Sequence, residues 1–133
     1  NSAYDKGRLR SGQMAYLKSV LTREYEKGNH VIVGGDWNQC PPGFIPEFKF
    51  NLMDNENRMD IEDNYLQEWK WAVDGKIPTN RRLVAPYDEK TTLTTVIDFF
   101  LVTPNIEIKK VQGIHLNFEH SDHNPVKLEI KLN

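Results

Sequence analysis

Two short polar clusters follow or precede apolar runs in this sequence and could carry chemistry. Asp36 and Asn38 stand in Gly-Asp-Trp-Asn after Val-Ile-Val, and Asp122 and His123 stand in Ser-Asp-His near the last apolar run. An Asp can orient or deprotonate a water, and an Asn amide can donate to a phosphoryl oxygen. Asp is also a hard oxygen ligand for Mg²⁺ or Mn²⁺, and His can move a proton near neutral pH. These residue types suggest metal-assisted hydrolysis of a phosphoester.

A third acid, Asp98, interrupts the apolar run Val-Ile-Asp-Phe-Phe-Leu-Val. Burying an unpaired carboxylate is costly, so we expect Asp98 to have a partner. A histidine is the natural one, because a carboxylate on one ring nitrogen fixes the tautomer and raises the basicity of the other nitrogen.

Each cluster taken alone also has a plainer interpretation. Gly-Asp-X-Asn is typical of an Asx turn that ends a strand, and Ser-Asp-His is typical of a turn with a surface histidine. In an extended backbone Asp36 and Asn38 would point to the same side, whereas the adjacent Asp122 and His123 would face opposite ways. A site that uses both Asp122 and His123 therefore requires a bend there.

The elements that would position these residues are one helix and several strands. Apolar side chains recur at helical spacing from Arg8 to about Lys27, Arg10 and Lys18 fall on the polar faces, and Gly28 supplies a C-cap. The run His30–Gly34 predicts a strand that is too continuous to be an exposed edge. The segment from Phe44 to Asp63 has no dominant period, which predicts loops or short helical turns. Further strands are predicted at Leu66–Val73, Thr95–Thr103, Lys109–Leu116 and Pro125–Leu132.

Length and charge limit the possible functions. A chain of 133 residues fits one domain. With 17 basic and 19 acidic side chains, it lacks the basic excess expected for broad capture of polyanions. Cys40 is the only cysteine, so no internal disulfide can form. The cysteine content therefore neither indicates nor excludes an oxidising compartment. With 38% hydrophobic and 11% aromatic residues, the composition predicts a soluble globular unit. No signal peptide or run of membrane-spanning length is present in the sequence.

The three motifs, in this order, resemble the C-terminal half of the endonuclease/exonuclease/phosphatase superfamily. The stretch Arg10 to Gln13, followed by an amphipathic helix, is also similar to that family. The resemblance implies an α/β chain of the α+β sandwich type, with a β-sheet and flanking helices. It would correspond to the C-terminal half of a four-layer αββα sandwich. Residues 1–133 would then be the C-terminal portion of one such domain, without its N-terminal half.

The resemblance also implies roles for individual residues. Asp36 would orient or deprotonate the attacking water, and Asn38 would bind the scissile phosphate. Asp98 would pair with His123, which would stabilise the transition state, and Asp122 would contact the Mg²⁺ or Mn²⁺ ion. The family's principal metal contacts, an asparagine and a glutamate of the N-terminal half, have no counterpart here. We therefore expect divalent-metal-dependent hydrolysis of a phosphodiester or phosphomonoester in the parent protein and a fragment that is inactive alone.

The substrate is the least determined part of this prediction. Arg81 and Arg82 precede the Asp98 strand and could bind a phosphate bidentately, although a solvated charged loop is an alternative. The candidate substrates are nucleic acid, a nucleotide, an inositol phosphate and a phospholipid headgroup. Trp37, Trp69 and Trp71 are expected to pack in the core rather than stack on bases. A non-catalytic binding module is one alternative function. The other alternative is a self-associating truncation product. It would form a homo-oligomer through the sheet that the missing half leaves uncovered.

Overall fold

One helix and several antiparallel strands make up the described part of the chain. The structure is a computed structural model, and it describes residues 7–45 and 59–133. Its elements are α1 (Arg8–Glu26), β1 (Ile32–Asp36), β2 (Lys70–Ala72), β3 (Asn80–Arg81), β4 (Thr94–Thr95), β5 (Asp98–Val102), β6 (Ile106–Gly113) and β7 (Val126–Leu132). They form a small domain of mixed α+β class. Within the described ranges, no helix is long and apolar enough to cross a membrane.

Helix α1 confirms the predicted helix and its end. Leu21 is buried, and Gly28 follows the helix with a φ of 85° while its N–H donates to the Tyr25 carbonyl. Arg10 differs from the prediction, because it is only 9% exposed rather than on a polar face. Its Nη1 donates to the Met59 sulfur at 3.2 Å, so contact with the segment after residue 58 buries it.

Strand β5 is the centre of a three-stranded sheet with the order β1-β5-β2. The predicted strand His30–Gly34 was expected not to be an exposed edge strand, and this prediction was wrong. Strand β1 begins at Ile32 and lies at an edge of this sheet, where Ile32 is 46% exposed. Within the described residues β1 pairs with β5 alone. The register sets Asp36 directly opposite Asp98.

The core lies between α1 and this sheet, and aromatic side chains fill it. The Trp37 and Phe99 rings stack with centroids 5.5 Å apart, and the Trp37 indole N–H donates to the Phe99 carbonyl at 3.0 Å. Trp71 meets both rings edge-on, and Trp69 packs edge-on against Tyr25. The prediction that the three tryptophans pack in the core is confirmed. Trp37 thereby anchors the turn between Asp36 and Asn38.

Two smaller sheets complete the described fold. β3 pairs with β4, and β6 pairs with β7. The predicted strand from Lys109 begins earlier, at Ile106, while the last predicted strand is confirmed as β7. Residues 46–58 of the predicted loop region lie outside the described residues.

Gly34 allows β1 to lie closely against β5. A Cβ at this position would overlap the ring of Phe100, its cross-strand partner. We expect Gly34→Ala to lower the free energy of unfolding by about 1–3 kcal/mol, because the Phe100 ring or the strand must shift. Urea denaturation measures the change.

Gly12 provides the matched control, since it lies within α1 and a Cβ there would meet nothing within 4 Å. Gly12→Ala should raise stability by about 0.5–1 kcal/mol. Equal effects of the two substitutions would contradict the packing described for Gly34.

Candidate active site

Asp98 and His123 form the centre of the candidate site. His123 Nδ1 lies 2.8 Å from Asp98 Oδ2, and the Asp98 side chain is 17% exposed. Burial raises the pKa of the Asp98 carboxyl, and the hydrogen bond from His123 partly opposes this rise. The pairing of Asp98 with a histidine, predicted from an acid inside an apolar run, is present in the structure.

Asp36 uses its two carboxylate oxygens differently. Oδ1 accepts the Asn38 backbone N–H at 2.8 Å, and Oδ2 lies 3.9 Å from His123 Nε2. The first contact is the Asx turn of the plainer interpretation, and the second brings the same carboxylate to the candidate site. Asn38 has a φ of 51°, so the extended backbone assumed from the sequence ends before it. Its amide is not placed by strand alternation.

A short segment joins the Asp98 strand to the histidine. Thr79 Oγ1 accepts the N–H groups of Ile97 and Asp98 at 3.0 and 3.1 Å, and the Thr79 carbonyl accepts the Asn124 N–H at 2.8 Å. The nearby Thr79 hydroxyl lowers the pKa of the Asp98 carboxyl and so opposes part of the effect of burial. Thr79 therefore holds both the backbone of Asp98 and the segment that carries His123.

The segment around His123 contains a bend, which is the condition stated above for a site that uses both Asp122 and His123. The backbone bends at Asp122, and the Ser121 hydroxyl accepts the His123 N–H at 3.1 Å. Asn124 is 2% exposed, and its amide donates to the Pro78 carbonyl and accepts the Leu116 N–H. These bonds fix the direction in which the His123 ring leaves the backbone.

Asn80 approaches the other ring nitrogen of His123. Its Nδ2 lies 3.0 Å from His123 Nε2 and 3.1 Å from the Asp122 carbonyl oxygen. We call Asp36, Asn80, Asp98 and His123 the four-residue cluster.

Asp122 takes part through its main chain. Its carbonyl accepts the Arg81 N–H at 3.0 Å as well as the Asn80 amide. Among residues 7–45 and 59–133, no group of three or more His, Cys, Asp or Glu side chains could hold a metal ion. The side chains of the described ranges therefore do not fit a complete Mg²⁺ or Mn²⁺ site, and the metal role of Asp122 stays a prediction.

The two arginines predicted to bind phosphate differ in their surroundings. Arg81 Nη1 donates to the carbonyls of Arg82 and Ala85, both at 3.2 Å, so part of this guanidinium holds its own loop. Arg82 is exposed, and its backbone N–H donates to the Leu93 carbonyl. Of the two, Arg82 has the freer side chain for a phosphate.

Sequence reasoning missed three residues of the site: Thr79, Asn80 and Asn124. They are neutral and lie in turns or very short strands, where neither periodicity nor charge singles them out. No signal in the sequence pointed to them, because Asn80 is placed by the pairing of β3 with β4 and the other two by hydrogen bonds between distant segments.

Comparison of this chain with known proteins gives no independent evidence on its identity. No protein-family model, curated protein or solved structure matches this chain significantly. The superfamily therefore remains a proposal that rests on the three motifs and on the geometry described above.

The burial of Asp98 predicts an unusual titration. In the folded protein the Asp98 carboxyl should titrate at a higher pH than in the same protein unfolded in urea. Since the folded state then binds the proton more tightly, this group's contribution to stability is fully present below the unfolded pKa. That contribution is lost as pH rises through the folded pKa. Carboxyl ¹³C NMR measures both values, and a folded value at or below the unfolded one would contradict the burial.

Proposed function

We propose that this chain carries the histidine side of a phosphoester hydrolase site related to the endonuclease/exonuclease/phosphatase superfamily. The observation that supports this most is the arrangement around one imidazole. Asp98 contacts Nδ1 at 2.8 Å, and the Asp36 carboxylate lies 3.9 Å from Nε2. A histidine oriented by a half-buried acid and facing a second, more exposed acid is suited to proton transfer and to stabilising developing charge.

The gap between Asp36 and His123 fits one reacting oxygen. A separation of 3.9 Å is too long for a direct hydrogen bond, but one oxygen atom can contact both atoms at hydrogen-bond distance. In the proposed reaction Asp36 orients or deprotonates the attacking water. His123 interacts with the phosphoryl group and stabilises the charge that develops on it. The phosphorus is attacked in line with the leaving oxygen.

Asn38 is proposed to donate to a phosphoryl oxygen. The turn that holds it is closed by the Asp36 carboxylate and anchored by the buried Trp37. Asn tolerates the left-handed conformation found here better than most residues do. The Asn38 side chain is exposed, so its amide is accessible to a substrate beside Asp36.

Dependence on Mg²⁺ or Mn²⁺ is part of the proposal, although no step above requires the ion. Because the described side chains do not form a metal site by themselves, additional ligands must come from elsewhere in the protein. This agrees with the proposal that the chain is the C-terminal half of an αββα sandwich. The edge position of β1 supports it too, since a further strand could pair there.

Substitution of His123 tests this function in the whole protein that carries the chain. With Mg²⁺ and bis(p-nitrophenyl) phosphate, His123→Ala should lower kcat/KM by about 10³-fold, because the group that stabilises the charge developing on the phosphoryl group is lost. His120→Ala is the matched control, since that side chain is 80% exposed. Its kcat/KM should stay near that of the wild type. Undiminished turnover in His123→Ala would refute the proposed role, and absence of any phosphoesterase activity would favour a binding module.

The isolated 133-residue chain provides a separate arm of the same experiment. We expect no robust turnover from it, because the described residues do not form a metal site by themselves. Robust turnover that Asp36→Ala abolishes would overturn the half-site proposal while supporting the hydrolase. Size-exclusion chromatography detects self-association of the isolated chain.

A further inference from the structure

Asn80 belongs to the four-residue cluster, but its position in the sequence did not predict that it would lie in the site. Its backbone forms an isolated antiparallel bridge with His123 and pairs with Thr95 in β4. The Asn80 backbone is therefore held by the His123 segment on one side and by β4 on the other, which fixes where its side chain begins. Its amide meets Nε2, the ring nitrogen that Asp98 leaves open.

The orientation of the Asn80 amide follows from its second contact. The atom of the amide that faces the Asp122 carbonyl, at 3.1 Å, must be the nitrogen, since a carbonyl oxygen only accepts. An amide nitrogen carries two hydrogens, so one can be donated to this carbonyl and the other to His123 Nε2 at 3.0 Å. Both donors of Asn80 are then used.

The state of the imidazole follows in the same way. Asp98 Oδ2 lies 2.8 Å from Nδ1 and accepts, which requires a hydrogen on Nδ1. Nε2 of the neutral ring then carries a lone pair, and the Asn80 N–H points at it. A hydrogen on Nε2 would instead face an N–H donor. The two neighbours of the ring thus favour the same tautomer from opposite sides.

We propose that Asn80 is a positioning residue that holds His123 in the Nδ1–H tautomer through an N–H···N hydrogen bond and fixes the ring beside Asp36. This hydrogen bond also keeps the Asn80 N–H, a hydrogen-bond donor, at the site. When Nε2 has taken up a proton and donates it to a phosphoryl oxygen, the Asn80 N–H no longer has its acceptor on the ring and is within reach of the same oxygen. This consequence for catalysis rests on the proposed function, whereas the tautomer and the hydrogen bond do not.

A purely structural role makes a different prediction. If Asn80 served only to tie β3 to the Asp122 carbonyl, His123 Nε2 would be bonded to something else or to water. The two roles are distinguished by whether the Asn80 and His123 nitrogens share a hydrogen bond, because such a bond transmits a nitrogen–nitrogen coupling that a bond to the carbonyl does not.

The test uses ¹⁵N NMR of the 133-residue chain at a pH where the His123 ring is neutral. We expect His123 to show a protonated Nδ1, an unprotonated Nε2, and a coupling across the hydrogen bond to the Asn80 amide nitrogen. A protonated Nε2 in the neutral wild-type ring, or an unprotonated Nε2 without the coupling, would overturn the proposal without any variant.

The donor-removing variant is Asn80→Asp, which keeps the size of the side chain. The coupling should vanish and the Nε2 resonance should move toward that of a protonated nitrogen, because an acceptor now faces it. Asn64→Asp, on an exposed residue, is the matched control for the added charge and should leave both signals unchanged. An unchanged Nε2 resonance in a folded Asn80→Asp protein would contradict the inference. These spectra report on the contact whether or not the protein hydrolyses a phosphoester, so the two proposals can fail separately.

Discussion

The hydrogen bonds of Thr79 are the constraint on which the candidate site depends. One hydroxyl oxygen accepts two successive backbone N–H groups at the start of β5, and the carbonyl of the same residue accepts the N–H of Asn124. Asp98 and His123 are 25 residues apart in the chain. Asp98 begins β5, whereas His123 lies outside the named strands and forms an isolated bridge with Asn80. Thr79 fixes the backbone at Asp98 and at Asn124, the residue after His123, and the 2.8 Å contact between the Asp98 and His123 side chains becomes possible. Asn80, the next residue, then meets the ring from the other side.

Electrostatics gives the site its second distinctive property. The strand register sets the Asp36 and Asp98 residues opposite each other, which is unfavourable for two carboxylates in a sheet. Their mutual repulsion is one of the effects that raise the pKa of Asp98, after the larger effect of burial. His123 lies against both acids, and its ring can offset this repulsion when it takes up a proton. A fold that needed only stability would gain little from two acids at one strand end. This costly arrangement is typical of a functional site.

The features that sequence reasoning found are those encoded by residues close together in the chain. The helical spacing and Gly28 defined α1, and the acid in an apolar run identified Asp98 as a residue that needs a histidine. What was missed depends on contacts between distant segments. The edge position of β1 depends on which strands lie beside it, and the burial of Arg10 depends on Met59. Asn80 joins the site through a two-residue strand, which is too short for any periodicity to reveal.

Binding of a phosphodiester to the four-residue cluster is the most direct test of this account, because it does not require the metal or turnover. Dimethyl phosphate should shift the ring signals of His123 and the amide signals of Asn38 and Asn80 in a saturable way. The neutral trimethyl phosphate should not. His123→Ala should remove the effect at the other residues. Shifts that are absent from these residues, or that persist in His123→Ala, would contradict the claim that this cluster is a phosphoester site.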